Sequence, residues 1–396
     1  MNQSIDVSRA SAETRGCQEV AHLNNAGAAL MPDCVVDAQI AHLHREERLG
    51  GYEAADAAAE EIAGTYDAIA ALLNCGRDEV AVLENATVAW DMAFHALPLG
   101  RGDRVLTGAA EYASNYIAFL QARQRLGIEV EAVPSDASGQ IDVAALEEMI
   151  DDRVKLIAVT HVPTNGGLVN PAEDIGRIAR AHGILFLLDA CQSAGQLALD
   201  VAAIGCDMLS ATGRKYLRGP RGTGFLYVRR GLLDRLTPPF LDMHGARWTA
   251  PDRFEMRADA RRFENFEFNY AAVIGLGVAV DYALAWGLDA IEARVTELAE
   301  TLRTRLDRLS GVTVRDLGAR RCGLVTFTLD GIDPREAMLR LRERGVNVSV
   351  ADPHSTLLDS RQRQLPDLLR ASVHYYNTED ELDRLCTDVA ELTATA

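Results

Sequence analysis

Lysine is nearly missing from this chain. Among 396 residues it occurs twice, at Lys155 and Lys215, while arginine fills nearly every other basic position. Long apolar runs are missing too. The most hydrophobic stretch, AAVIGLGVAVDYALAW, carries Asp281 between polar flanks, which predicts a buried helix and argues against a membrane span. The polar start, MNQSIDVSRASAETRG, has no apolar segment of the secretory kind. Cysteine patterning is absent as well: Cys17, Cys34, Cys75, Cys191, Cys206, Cys322 and Cys386 are scattered with no CxxC pair and no zinc spacing, so no metal site is expected. An odd, unpatterned set of thiols fits a reducing cytoplasm. Positive charge is also short, and a net charge of −18 excludes nucleic acid and anionic membrane as natural partners.

What is present is a βαβ rhythm. From about residue 60, EEIAGTYDAIAALLN reads as helix, EVAVLE as strand and TVAWDMAFHALP as helix. DRVLTG, VEAVPS, KLIAVTHV and ILFLLDA read as further strands, separated by the helices SNYIAFLQARQRLG, VAALEEMIDDR and EDIGRIARAHG. This alternation predicts an α/β fold whose mostly parallel sheet carries helices on both faces. GTGFLYV follows as another strand, antiparallel by expectation. After Gly287 the long amphipathic LDAIEARVTELAETLRTRLDRL leads into short alternating strands (TVRDL, LVTFTL, VNVSV) and two amphipathic helices. The expected division is therefore a large domain over 18–287 and a smaller α+β domain over 288–396, with 1–17 packing on the latter.

Ligands of open α/β sheets lie beyond the carboxyl ends of the strands. EVAVLE runs into Asn85, Ala86 and Thr87 at a helix start, where free N–H groups favour an anion; taken singly, Thr87 reads as an N-cap. DRVLTG is followed by Tyr112, ILFLLDA ends in Asp189 with Gln192 close behind, and SATGRK brings Thr212, Arg214 and Lys215 together. An amine, a carboxylate after an apolar strand, a phosphate-ready helix start with a cation, and a flat ring are the requirements of pyridoxal 5'-phosphate. Arginine cannot stand in for Lys215, because a guanidinium stays protonated and forms no Schiff base.

These residues carry a family resemblance. The run SATGRKYLRGPRGTGFLYV resembles the Schiff-base lysine segment of the class V aminotransferases, a group of fold type I pyridoxal-phosphate enzymes. The group includes cysteine desulfurases, epimerase-like proteins and hercynylcysteine sulfoxide lyases. The likeness runs from LNNAGAALMP to LLRASVHYYNTEDELDRL, nearly the whole chain. It implies the fold type I architecture, a seven-stranded, mostly parallel sheet plus a small C-terminal domain. It makes Lys215 the Schiff-base lysine and proton carrier, Asp189 the partner of the ring nitrogen, and Tyr112 the stacking ring. Gln192 falls near the phenolic oxygen, with Thr164 or Asn165 on the same side. Ala86, Thr87, Thr212 and Arg214 match phosphate-binding positions; Arg370 matches the arginine that grips an α-carboxylate, with Asn25 and Ala26 approaching the same substrate. A homodimer with its active site at the subunit interface is implied as well.

Two departures narrow the reading. Cysteine desulfurases carry a nucleophilic cysteine on the loop before the carboxylate arginine, and VNVSVADPHSTLLDSRQRQLPDLLR has none; His354 lies there instead, read as a solvated loop histidine. Relatives read E-x-G-T-P-N where this chain reads ENFEFN, so Glu267 replaces a threonine that reaches the partner's phosphate. The expected activity is a C–S lyase, β-elimination of an S-substituted cysteine or its sulfoxide to pyruvate, ammonia and a thiol-type product. An aminotransferase or epimerase is the alternative, and a non-enzymatic nucleotide-binding protein with GPRGTG as its phosphate loop stands last, since that run lacks a terminal Gly-Lys-Ser/Thr. Side-chain recognition is expected from His244–Glu255, Arg45–Tyr52 and the 352–363 loop.

Overall fold

The computed structural model describes residues 4–394. Its centre is a seven-stranded sheet in the order Val80–Leu83, Gly224–Val228, Met208–Thr212, Leu185–Asp189, Val154–Thr160, Arg104–Gly108, Glu129–Val133. All neighbours are parallel except Gly224–Val228, which runs antiparallel to both of its partners. Because side chains alternate across a strand, each strand feeds two cores. Ile157, Val159, Phe186, Leu188, Leu209 and Phe225 pack on one face with Ile69, Ile175 and Leu276. Leu156, Ala158, Leu187, Met208 and Leu226 pack on the other with Trp90, Phe94 and Phe119. Burial on both faces is what makes these strands read as unbroken apolar runs rather than as alternation.

Tyr270–Trp286 is the helix anticipated from its continuous apolar sequence, and most of it is buried. Among the described residues no single helix is long and apolar enough to cross a membrane. At Gly287 the chain bends by 80° into Leu288–Asp307. Beyond it an antiparallel sheet forms in the order Val312–Val314, Leu324–Leu329, Leu368–Ser372, Ser349–Ala351. The N-terminal segment joins this half: Ala21–His22 pairs in parallel with Val346–Asn347, and Ala10, Leu23 and Ala26 share a core with Leu298, Phe327 and Tyr376.

Local differences from the sequence reading have physical causes. The helix expected over 143–153 is Val143–Glu148 only, because Asp151 and Asp152 would oppose the negative helix end and Asp151 instead accepts the Arg153 N–H. VNVSV divides into Val346–Asn347 and Ser349–Ala351, each pairing with a different strand. The helix Asp33–Leu49 escapes the apolar pattern, since Val35 and His42 are its buried residues. Ala246–Ala250 and Arg253–Met256 form an exposed hairpin with Trp248 and Phe254 in solvent.

One buried cation ties distant parts of the chain together. Arg218, three residues past Lys215, has φ +60 and is 1% exposed. Its Nε donates to the Leu30 carbonyl (2.8 Å), Nη1 to the Tyr375 hydroxyl (2.8 Å) and Nη2 to the Thr14 hydroxyl (2.6 Å). The guanidinium also lies over the rings of Tyr376 at 4.3 Å and Tyr375 at 5.2 Å.

Candidate active site

The strand ends converge on a cavity of about 420 Å³. Ala86, Thr87, Tyr112, Thr164, Asp189, Gln192, Thr212, Arg214 and Lys215 all line it, joined by Asn85, Cys191 and Thr160. Residues up to 130 positions apart in sequence thus line one cavity, as expected at the carboxyl edge of a parallel sheet.

The helix Ala86–His95 starts at this wall. Asn85, not Thr87, is its cap, accepting the Val88 N–H at 2.9 Å. The first-turn N–H groups of Ala86 and Thr87 have no acceptor within the helix, so this end favours an anion. Gly224 makes the close approach possible, because a Cβ there would lie 2.5 Å from the Asn85 carbonyl carbon and 2.8 Å from the Ala86 nitrogen. Thr212 is buried and donates to the Thr223 carbonyl at 3.1 Å. Arg214 reaches the Gly27 carbonyl, and its own carbonyl accepts the Ala29 N–H. The GPRGTG run folds back on the lysine segment, with Gly219 N–H on the Gly213 carbonyl and the Thr223 hydroxyl on the Pro220 carbonyl, and delivers the chain into Gly224–Val228; it is a return turn.

Lys215 is 9% exposed. Burial pushes its amine below the ordinary lysine value; Arg214 and Arg370 add to the shift, while Cys191 and Asp189 oppose it. Asp189 is 4% exposed and shifted upward by burial, against the hydrogen bonds it accepts from Asn115 Nδ2 (2.9 Å) and the Cys191 N–H (2.8 Å). Gly195, at φ +92, lets the turn after Asp189 pack on the lysine segment: a Cβ there would meet the Tyr216 carbonyl carbon at 2.4 Å. The Gln192 amide donates to the Ala26 carbonyl at 3.2 Å, and its carbonyl oxygen is buried with no partner.

Arg370 comes from the strand Leu368–Ser372 and is 8% exposed. Its Nη1 donates to both the carbonyl and the hydroxyl of Thr164, each at 2.9 Å, and its Nε to Ser349 Oγ at 3.1 Å. The other residues expected nearby are placed differently. Asn165 turns its amide to the Asp352 carbonyl (2.8 Å) and the Thr356 hydroxyl (3.1 Å), away from the residues that line the cavity. Asn25 is 0% exposed and braces the scaffold, donating to the Ser372 carbonyl at 2.7 Å and accepting the Tyr376 hydroxyl. Ala26 contributes backbone alone, its N–H to Ser372 Oγ and its carbonyl to Gln192. Lys155 is exposed and donates to the Asp152 carbonyl; His354 is exposed beside Asp352. Glu267 is exposed next to Tyr52 and Phe268, outside this cavity.

Sequence reasoning missed Glu111 and Asn115, which lie behind Asp189. Both stand in EYASN, but nothing in a single sequence says that Glu111 is only 4% exposed.

The donor set fits pyridoxal phosphate. Arg214 and Lys215 line the cavity together with the carboxylate of Asp189, and Arg370 adjoins its wall through Thr164, near enough to lower the Lys215 pKa. Such a site lacks anions, and a phosphate plus a substrate carboxylate would supply them. The unpartnered Gln192 oxygen and the uncapped N–H groups are the polar vacancies such a ligand would fill.

Comparisons with known proteins agree with this geometry. The aminotransferase class-V family model matches residues 21–385. A probable cysteine desulfurase of Xylella fastidiosa is 31% identical over 379 residues, covering 92% of this chain and 89% of the relative. One from Methanothermobacter thermautotrophicus is 28% identical, covering 87% and 86%. Among solved structures, the apo cysteine desulfurase of Thermococcus onnurineus superposes with a TM-score of 0.93 at 24% identity over the full length of both chains. The cystine C–S lyase C-DES, in complex with cysteine persulfide, gives 0.87 at 24% identity over 96% of this chain and 99% of that one. At these identities the structural likeness carries the fold alone.

Proposed function

Because this chain belongs to the aminotransferase class-V family, and so is a pyridoxal-phosphate-dependent enzyme, we propose that it is a C–S lyase that eliminates sulfur from an S-substituted cysteine or its sulfoxide. The observation that carries the reading is the pairing of a buried lysine with the buried Arg370 guanidinium beside it, in a chain whose 352–363 segment, folded as a turn of 3-10 helix and the short helix Leu357–Gln362, has no cysteine. Relatives named as cysteine desulfurases support cleavage at sulfur.

When bound, the cofactor supplies an aldehyde that takes up the substrate's amino group and a protonated ring that draws electrons from Cα. The chain's residues do the rest. The Ala86–Thr87 helix start, Thr212 and Arg214 would hold the phosphate. Asp189 would pair with the ring nitrogen, Tyr112 would stack on the ring, and Gln192 with Thr164 would serve the phenolic oxygen. Arg370 takes the substrate α-carboxylate in a bidentate pair, which fixes the Cα–H bond toward Lys215. Neutral Lys215 removes that proton, and the electron pair left on carbon expels sulfur from Cβ. Lys215 can return its proton to the departing sulfur, leaving a fragment that water converts to pyruvate and ammonia.

Cys191 is the cysteine at the cavity wall, but burial raises its thiol pKa more than Lys215 lowers it. A thiol so held is a poor nucleophile, which favours direct elimination over capture of sulfur by the protein. Asn25 and Asn165 we assign to the scaffold rather than to the ligands.

We further propose a homodimer with the active site at its interface, in the cytoplasm. Phe240, Met243, Trp248, Phe254 and Phe266 are all exposed, apolar side chains that a partner subunit would cover, and the seven thiols are free. Incubation with a cysteine S-conjugate tests the activity. Pyruvate should form without any added keto acid; turnover that appears only with a keto acid would establish a transaminase instead.

A further inference from the structure

Behind Asp189 lies a second buried carboxylate that the reaction scheme above does not use. Glu111 receives five neutral donors. Its Oε1 accepts from Asn115 Nδ2 (2.8 Å), the Thr160 hydroxyl (2.5 Å) and the Tyr112 N–H (3.2 Å). Its Oε2 accepts from the Thr107 hydroxyl and the Thr160 N–H, both at 2.9 Å. Asn115 is 2% exposed, and its amide nitrogen donates both hydrogens to carboxylates, one to Glu111 and one to Asp189 at 2.9 Å.

That arrangement leaves Asn115 a single orientation. Turned over, its carbonyl oxygen would face two carboxylates and both of its N–H bonds would be lost, in a buried site where no water is at hand to replace them. With the amide so fixed, Asp189 Oδ2 meets a donor, and Oδ1 meets the Cys191 N–H. Both oxygens of Asp189 are thereby committed to accepting, which favours its ionised form and opposes the upward push of burial. The same Glu111 also anchors the backbone of Tyr112, whose residue lines the cavity.

We propose that Glu111 is a positioning residue which, through Asn115, holds Asp189 as a pure acceptor and so keeps the proton of the pair on the cofactor's ring nitrogen. The inference rests on the reading of Asp189 as that nitrogen's partner. In Glu111→Gln the new amide can donate, Asn115 is free to turn its oxygen toward Asp189, and Asp189 would then retain a proton itself.

The test uses the holoenzyme reconstituted with pyridoxal phosphate labelled with ¹⁵N in the ring, read by ¹⁵N NMR. The wild type should show a protonated ring nitrogen. Glu111→Gln should move the resonance toward that of a neutral pyridine and lower kcat more than it alters KM, while Glu111→Asp, which keeps the charge, should restore much of both. If Glu111→Gln does not retain cofactor, Asn115→Leu decides, since it keeps both carboxylates and removes the bridge; the same shift is expected. A ring nitrogen as fully protonated in the deciding variant as in the wild type overturns the inference and leaves the site reading intact. An unprotonated nitrogen in the wild type overturns both.

Discussion

Arg370 and Thr164 meet across the two halves of the molecule: one guanidinium nitrogen from the C-terminal sheet reaches both the hydroxyl and the carbonyl of a residue on the loop after the Val154–Thr160 strand, each at 2.9 Å. Thr164 also accepts the Gln192 amide at 3.4 Å, so the carboxylate-binding corner and the cofactor wall share a hydroxyl.

Arg370→Lys should therefore damage substrate binding before it damages the cofactor site. A lysine cannot make the planar two-bond pair or keep both Thr164 contacts. With charged hydrogen bonds worth roughly 1.5–3 kcal/mol, kcat/KM should fall by about 10- to 100-fold. Steady-state kinetics together with the visible spectrum of the bound cofactor check this; an altered spectrum with unchanged kinetics would be the opposite result.

Replacing Lys215 by arginine keeps a positive charge and removes the exchangeable amine. Turnover should drop by roughly 10²–10⁴ or more, the range of a lost acid–base group. Borohydride should no longer fix the cofactor to the protein, as peptide mapping of the reduced protein would report.

The acid limb of cofactor uptake by the apo-protein should report the Lys215 amine, which must be neutral to attack the aldehyde. Burial lowers its pKa from 10.5, so the midpoint should fall below that value, with uptake rising as pH increases through it. Arg214 contributes to the lowering. Arg214→Gln removes a like charge, stabilises the protonated amine and should move the limb to higher pH. Stopped-flow uptake rates across pH decide; a limb that moves the other way contradicts the assignment.

Cys191→Ala should leave pyruvate formation from a cysteine S-conjugate within a few-fold of wild type. Loss of most activity, with sulfur found on Cys191 by mass spectrometry in the unaltered protein, would show that the protein itself captures sulfur.

Arg218→Ala should cost about 3–5 kcal/mol, from lost packing and three buried acceptors left unpaired. Arg218→Gly should be the milder change by about 1 kcal/mol, because φ +60 strains any residue with a Cβ. Chemical denaturation of both variants, followed by circular dichroism, orders them.

Much of this architecture was legible because a two-faced sheet writes itself as apolar runs, and because its ligands must stand at the ends of those runs. Asp189, Thr212 and Lys215 were found in that way. Arg370 was not: it lies within the strand Leu368–Ser372, which alternation did not reveal, and the family resemblance alone pointed to it. Asn25 and Asn165 were expected to face the ligands, but their amides bond to backbone carbonyls of the C-terminal half, contacts between positions 347 and 187 residues apart that no single sequence displays. Glu111 and Asn115 failed to stand out because a polar pair reads as surface until burial is known.

The arginine box has a consequence for synthesis. Arg218 grips Thr14 behind it and Tyr375 ahead of it, at separations of 204 and 157 residues. A chain emerging from the ribosome can build the sheet and present Lys215 long before the last of these partners exists. Two of the three hydrogen-bond partners of Arg218, Thr14 and Leu30, precede it in the chain, and the third, Tyr375, follows the final strand. Full closure of the turn that carries the lysine therefore waits on the last segment to be made, and a chain cut before Tyr375 is expected to hold that turn less firmly.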